Sequence, residues 1–322
     1  MALLVLMSGA ILWWWYPREP AIAFVAGSED FRSTSLMIMA ADGSGQALLL
    51  ASDKDRLEPD WSPDGQQIVF ASGDIFVIQA DGTHRRQLTD HTSTGLAYYE
   101  PAWSPDGTRL AFVAAPPTTE GQGRTSLYIM QVDGSNVVKL TTGDQTIFAP
   151  TWSPDGTQIS FTLVNGDQSD IAIMQIADRH YRNITNTGDA SEMCGRWSPN
   201  GQWIVFESDG GHFAQSDISI IRPNGADRTQ LTDIRGVNST PGWSPDGSQI
   251  VFISDRDFKL RDLNQQPSLV SLLLCPKIPD LYFCSVEQAP YGTAIYVMNA
   301  DGSNARRLTD SIGWKWSPIW RG

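Results

Sequence analysis

PDWSPDGQQIVF, residues 59–70, returns along the chain as PAWSPDGTRLAF (101–112), PTWSPDGTQISF (150–161), GRWSPNGQWIVF (195–206) and PGWSPDGSQIVF (241–252), and the chain closes on PIWRG (318–322). A second phrase alternates with it: IFVIQADGTHRRQLTD (75–90), LYIMQVDGSNVVKLTT (127–142), IAIMQIADRHYRNITN (171–186), ISIIRPNGADRTQLTD (218–233) and IYVMNADGSNARRLTD (295–310). The tryptophans Trp61, Trp103, Trp152, Trp197, Trp243 and Trp320 are spaced by 42, 49, 45, 46 and 77 residues. A repeat of roughly 40–50 residues built of short strands is the signature of propeller blades, which bury their faces only by stacking on neighbours.

The unit is readable chemically. In Trp-Ser-Pro-Asp-Gly the proline fixes its own φ and ends a short strand, and Asp-Gly supplies the positive φ of a tight turn. An alternating apolar strand follows, such as Gln67-Ile68-Val69-Phe70. A third strand (Ile295 to Met298) turns at Ala-Asp-Gly-Ser into a fourth, whose Arg306 and Arg307 suit an exposed outer edge. Four strands and three turns make one blade.

The stretch Ala21 to Ala26 aligns with Gln67 to Ala71 and has no Trp-Ser-Pro strand before it. Leu308 to Trp320 repeats the interval from Leu140 to Trp152, so Pro318-Ile319-Trp320 is predicted to be the innermost strand of the first blade. The expected fold is all-β: a six-bladed β-propeller of four-stranded blades over residues 19–322, the first blade closed by the C-terminal strand.

The motif PxWSPDGxxIxF followed by IYxMxxDGxxxxxLT resembles the TolB-type propeller repeat, shared by periplasmic proteins of that family and by the propeller domains of prolyl-oligopeptidase-like enzymes. The resemblance spans roughly residues 21 to 322. It implies a propeller and does not reach the α/β domain that precedes the propeller in the periplasmic members. Propellers host binding, scaffolding and catalysis alike, so function has to be read from sites.

Of the 322 residues 18% are charged, and the formal net charge is −13. Such a surface repels phosphate backbones, which sets nucleic acid aside as a partner and leaves cationic proteins, peptides or metal ions. Residues 1–18 are expected to form a membrane anchor or signal segment: Met1 to Tyr16 is apolar apart from Ser8 and ends in Trp13-Trp14-Trp15-Tyr16, an aromatic run suited to a membrane interface. Cleavage after Ala21-Ile22-Ala23 would remove Ile22, which aligns with the core-facing Ile68 and Ile250, so an uncleaved anchor is the preferred expectation. Either version exports the propeller.

Cys275 and Cys284 stand nine positions apart, a spacing that permits a local disulfide in an oxidising compartment. They lie in an insertion over residues 258–292, which makes the interval from Phe252 to Asp301 roughly thirty residues longer than its counterparts. Leu272, Leu273, Leu274, Tyr282 and Phe283 within it read either as a recognition patch or as extra core.

Strands alternate in direction, so the Asp-Gly turns after first and third strands share one face of the disc, here the turn face. The longer connections and blade-to-blade linkers share the other, the loop face, where binding is expected. The residues just ahead of each inner-strand proline or its equivalent, Glu58, Glu100, Ala149, Cys194, Thr240 and Ser317, are expected at the channel mouth. Asp60 and Arg196 lie one step further in, with Tyr98 and Tyr99 close by. Glu58, Asp60 and Glu100 could hold a cation or a lysine side chain, or be solvated rim residues.

The repeated Asp64, Asp106, Asp155 and Asp246 are expected to bond within their own turns, because Asn200 replaces one of them without a charge. No Gly-x-Ser-x-Gly elbow occurs. His84 and His180 fall on the opposite face from His91 and His212, against one converging metal site. No catalytic residue, metal or cofactor is assigned. The leading expectation is a non-catalytic protein-binding or scaffolding propeller of the bacterial cell envelope, with a protein or peptide partner and membrane contact through the N-terminal segment. A propeller-fold enzyme using the acidic channel mouth, and a sensor ectodomain or subunit of an envelope complex, are the alternatives.

Overall fold

In the computed structural model six four-stranded antiparallel sheets follow one another along the chain. The structure describes residues 21–27, 33–52, 57–116, 124–142, 145–211, 215–233, 236–257, 292–310 and 314–322. The N-terminal segment 1–18, Leu272, Leu273, Leu274, Cys275, Tyr282, Phe283, Cys284 and His212 lie outside the described residues, as does all of the insertion but its last position.

Blade 1 is built from Lys315–Trp320, Ala21–Gly27, Thr34–Ala40 and Ala47–Ser52, from the channel outward. Blade 2 begins at Asp60–Trp61 and Gln67–Ser72, blade 3 at Ala97–Trp103 and Arg109–Ala115, and blade 4 at Thr146–Trp152 and Gln158–Asn165. Blades 5 and 6 begin at Glu192–Trp197 with Ile204–Ser208 and at Asn238–Trp243 with Gln249–Ser254. In the first blade Ile22 pairs with Trp320, Ala23 with Ile319 and Val25 with Trp316. The C-terminal strand therefore closes the ring, as the interval from Leu308 to Trp320 predicts.

Side-chain period two sends alternate residues of each strand to the two neighbouring blades. Phe24, Phe70, Phe112, Phe161, Phe206 and Phe252 occupy one position of the second strand and are fully buried. Each packs against the preceding blade: Phe70 with Val25 and Leu36 of blade 1, and Phe24 with Ile253 and Val297 of blade 6. The residue before each phenylalanine faces the other way, as Val69 does toward Phe112 of blade 3. Burying one such ring contributes about 1.5–3 kcal/mol relative to leaving it in water.

The Trp-Ser-Pro-Asp-Gly turns are held by a local hydrogen-bond set. Ser62 Oγ donates to Asp64 Oδ1 at 2.6 Å and accepts from the Gln67 N–H at 2.9 Å, while the Gln66 N–H donates to Asp64 Oδ1 at 2.9 Å. The set recurs at Ser104 with Asp106, Ser153 with Asp155 and Ser244 with Asp246. At Asn200 the amide oxygen takes the Ser198 hydroxyl at 2.8 Å and the Gln202 N–H at 3.0 Å. These bonds hold the Asp106 carboxyl down at about 2. The repeated acids are turn formers, as Asn200 foretells.

The last residues also reach past blade 1. The Arg321 N–H donates to the Ala21 carbonyl at 2.7 Å, and its guanidinium lies 5.4 Å from the Trp61 ring of blade 2. Deleting Pro318 to Gly322 therefore strips the inner edge of one blade and a contact with the next. Trp320, 5% exposed, is the largest side chain lost. Trp320→Ala alone is expected to cost about 3–5 kcal/mol in chemical denaturation, and the deletion more; a truncated protein with an unchanged midpoint would refute closure as a source of stability.

Candidate functional site

Inner strands meet at the propeller axis, and those of blades 1 and 3 to 6 carry the same distortion there. Pairing slips by one residue between Tyr99 and Ala102, Phe148 and Thr151, Met193 and Arg196, and Ser239 and Gly242. Within these bulges Glu100 (φ 51°), Ala149 (47°), Cys194 (56°) and Thr240 (49°) are left-handed, joined by Glu58 (36°) and Ser317 (46°). Six non-glycine residues in that region each cost of order 1–3 kcal/mol and persist only where the surroundings over-determine them. A bulge re-aims its side chain, and these residues line one central cavity.

The backbone N–H of a left-handed residue is drawn toward the preceding blade. The Glu100 N–H donates to Glu58 Oε2 at 2.7 Å, and the Ala149 N–H to Glu100 Oε2 at 2.6 Å. The Cys194 N–H donates to Thr162 Oγ1 at 3.2 Å, and the Thr240 N–H to Glu207 Oε2 at 2.9 Å. One turn further, the Trp103 N–H donates to Asp60 Oδ2 at 2.7 Å. Acceptors on blades 2, 3, 4 and 5 thus hold blades 3, 4, 5 and 6. A hydrogen bond from N–H to carboxylate is charge-assisted and stronger than a neutral one.

The structure gathers Glu58, Asp60, Glu100 and Arg196 around this cavity. Glu207, which sequence reasoning missed, is the fourth acid and is 2% exposed. Its signal was a charge directly after the blade phenylalanine, where the other blades have Val25, Ala71, Val113, Thr162 and Ile253. Tyr98 and Tyr99 are not among the cavity-lining residues. Alternation carries Tyr98 into the interface between blades 2 and 3, its ring 5.9 Å from Phe112 and its hydroxyl donating to Thr94 Oγ1 at 2.8 Å. Tyr99 packs against the apolar cluster between blades 3 and 4.

Burial dominates the electrostatics of the channel. It pushes the Asp60 carboxyl up to about 6 against the opposing pull of Arg196 and the Trp103 N–H. Burial also raises Glu207 against its bonds from Ser239 and the Thr240 N–H. The Cys194 thiol is pushed well up by burial and by Glu207, Glu100 and Glu58, which suppresses the nucleophilic thiolate.

On the loop face Asp74, Asp90 and His91 bring potential ligand atoms within 4.8 Å of one another. Asp74 is already engaged: Oδ1 accepts from Thr89 Oγ1 and the His91 N–H at 2.8 Å each, and Oδ2 accepts from Gln87 Nε2 at 3.0 Å and contacts His91 Nδ1 at 2.5 Å. Asp217 accepts likewise from Thr232 Oγ1 at 2.6 Å and Gln230 Nε2 at 3.0 Å, with no histidine beside it. Asp170 uses Thr185 and Asn183 in the same way. This aspartate is a repeated clip between the third and fourth strands.

Fold and channel together define a six-bladed β-propeller in which acidic and hydroxyl acceptors latch neighbouring blades around the axis. The family model described as the TolB beta propeller domain matches residues 108–260. A protein described as a TolB homolog from Chlorobium luteolum (strain DSM 273 / BCRC 81028 / 2530) is 27% identical over 137 residues, 42% of this chain and 30% of that relative. The match thus spans about a third of that relative's length. The crystal structure of TolB from Acinetobacter baumannii superposes with a TM-score of 0.69 at 20% identity over 94% of this chain and 66% of that one. A TolB candidate from Agrobacterium tumefaciens gives 0.63 at 19% identity over 92% and 91%. The chain is a propeller related to the TolB family.

Asp60 yields a pH test. An acid whose folded pKa lies above its unfolded value binds its proton first in the folded state, so stability increases as pH falls through about 6 and levels off below the ordinary carboxylate range. Asp60→Asn keeps an acceptor for the Trp103 N–H and removes the buried charge. The variant is expected to be more stable than the parent above pH 7 by up to about 3 kcal/mol, at 1.36 kcal/mol per pKa unit. Denaturant titrations from pH 4 to 8 should show a flatter profile, and an undiminished slope would overturn the assignment.

Proposed function

We propose that this chain is a non-catalytic protein-binding module of the bacterial cell envelope, working outside the cytoplasm. A protein or peptide partner docks across the loop face and places a cationic group at the channel mouth. The carrying observation is the use of the channel acids: Glu58, Asp60, Glu100 and Glu207 are acceptors for backbone N–H groups of the following blade. A general acid or base must reach substrate, whereas these carboxylates are committed to a rigid ring. The ring still presents negative potential to solvent, and in a chain of net charge −13 this favours basic partners and speeds their encounter. Relatedness to TolB proteins supports a protein-interaction role over a catalytic one.

A photo-crosslinking residue at Ser317 or Thr240 is expected to trap a discrete protein adduct in cells, and the same residue at Asn136, on the turn face of blade 3, is not. Adducts at Asn136 equal to those from the channel mouth, or none from the channel mouth, would refute the docking assignment. The apolar segment Met1 to Tyr16 supports a tether, although among the described residues no helix is long and apolar enough to cross a membrane. Fractionation should recover the intact protein with membranes; soluble protein beginning near residue 24 would show a cleaved signal instead.

A further inference from the structure

Between blades 5 and 6 the turn face opens into a groove floored by Trp203, Trp243 and Ile220 and rimmed by Asn200, Asp246 and Asp301. It has internal counterparts that show what such a groove accepts. Between blades 3 and 4, Arg109 lies 4.6 Å from the Trp152 ring, with its guanidinium 3.8 Å from Asp106. Between blades 1 and 2, Arg321 lies 5.4 Å from the Trp61 ring and runs beside Gly65 of the turn. Trp152 and Trp61 are buried there.

In repeat register Trp203 stands where the other blades carry Ala21, Gln67, Arg109, Gln158 and Gln249, and Trp243 corresponds to Trp152 and Trp61. No cation lies over Trp243 among the described residues, and its ring is only half-buried. Arg222 does lie 4.4 Å from Trp203, but it is not among the groove-lining residues and pairs with Asp227 at 2.6 Å. The blade 5–6 groove therefore has the indole of its counterparts without a guanidinium over it, with Asn200 at the position of Asp106, a second indole at the position of Arg109, and the Asp246 and Asp301 carboxylates on its rim.

We propose that this groove is a receptor for an arginine side chain of a partner protein, distinct from the channel mouth and on the opposite face of the disc. The guanidinium plane stacks on Trp203 and Trp243, since indole is the strongest aromatic partner for a cation. Its N–H groups are held by the Asp246 and Asp301 carboxylates. Planarity and the fork of donors select arginine over lysine at a stacked site. Asp246 stays ionised, because bonds from Ser244 and Ser248 depress its carboxyl.

The probe is N-acetyl-arginine N-methylamide, followed through the indole N–H signals of Trp203 and Trp243 in nuclear magnetic resonance titrations of the whole chain. Asp246→Asn restores the turn that Asn200 already makes and is expected to melt with the parent. Trp203→Gln restores the residue of three other blades but gives up packing on the blade 5–6 cluster and the Arg222 stack, so it is expected to fold with a lower midpoint. Each should weaken the arginine probe about threefold or more, and the isosteric citrulline probe should not saturate. Equal binding of the citrulline probe, shifts indifferent to both substitutions, or preferential binding of a neutral oligosaccharide would overturn the proposal. The citrulline comparison uses the unaltered protein and so holds even if a variant fails to fold.

Discussion

A four-stranded blade has two apolar faces and no means of covering either by itself, and this constraint governs the whole molecule. Each of the apolar clusters lies between consecutive blades: Phe161 of blade 4 packs with Val113 of blade 3, and Phe252 of blade 6 with Val205 of blade 5. An open stack would leave one face bare at each end. The chain removes both by pairing Trp320 with Ile22, so that blade 6 finds blade 1 already completed by the C-terminus. Closure couples every interface to every other, because loosening one blade uncovers two faces at once.

Closure also dictates the chemistry at the axis. Inner strands converging on a narrow channel cannot keep straight pleats, and the one-residue bulges that bend them place left-handed residues in a ring. Their N–H groups point away from ordinary strand partners and need acceptors. Glu58, Glu100, Thr162 and Glu207 provide them from one blade to the next. The acids accordingly serve two ends, satisfying distorted backbone and setting the potential of the channel. Desolvation is the cost, visible in the raised Asp60 and Glu207 carboxyls.

What was legible in the sequence follows the range of the interactions. The Ser62 and Asp64 turn closes within five residues, so its pattern is written locally and the blade count and ring closure follow from its recurrence. Glu58, Asp60, Glu100 and Arg196 were found because they keep a constant offset from the inner-strand tryptophan. The latches join residues 42 and 49 positions apart, and no local pattern reveals which carboxylate meets which N–H. Tyr98 shows the opposite failure: adjacent in sequence to Tyr99 and Glu100, it is turned by strand alternation into the interface with Phe112.

Agreement among the repeats identifies architecture, and departures from it identify where one blade differs from its neighbours. The serine–aspartate turn and the buried phenylalanine hardly vary, whereas blade 5 departs repeatedly. Gly195 replaces the inner-strand proline, Arg196 brings a cation into the channel, Trp203 replaces a polar residue or alanine and Glu207 an apolar one or threonine. Glu192, at a position held elsewhere by Tyr98, Ile147, Asn238 and Lys315, is buried against Arg228 at 2.9 Å. Burying that carboxylate raises its pKa even with Thr187, Arg228 and Ser208 bonded to it, and breaking such a pair costs more than forming it gains. A blade that tolerates a buried ion pair, a half-buried indole and a channel acid together is held in shape by its neighbours rather than by its own sequence. That support lets blade 5 depart from the repeat at both ends of its strands, in the channel at Arg196 and Glu207 and beside the turn at Trp203, without losing the buried phenylalanine and the serine turn it shares with the other blades.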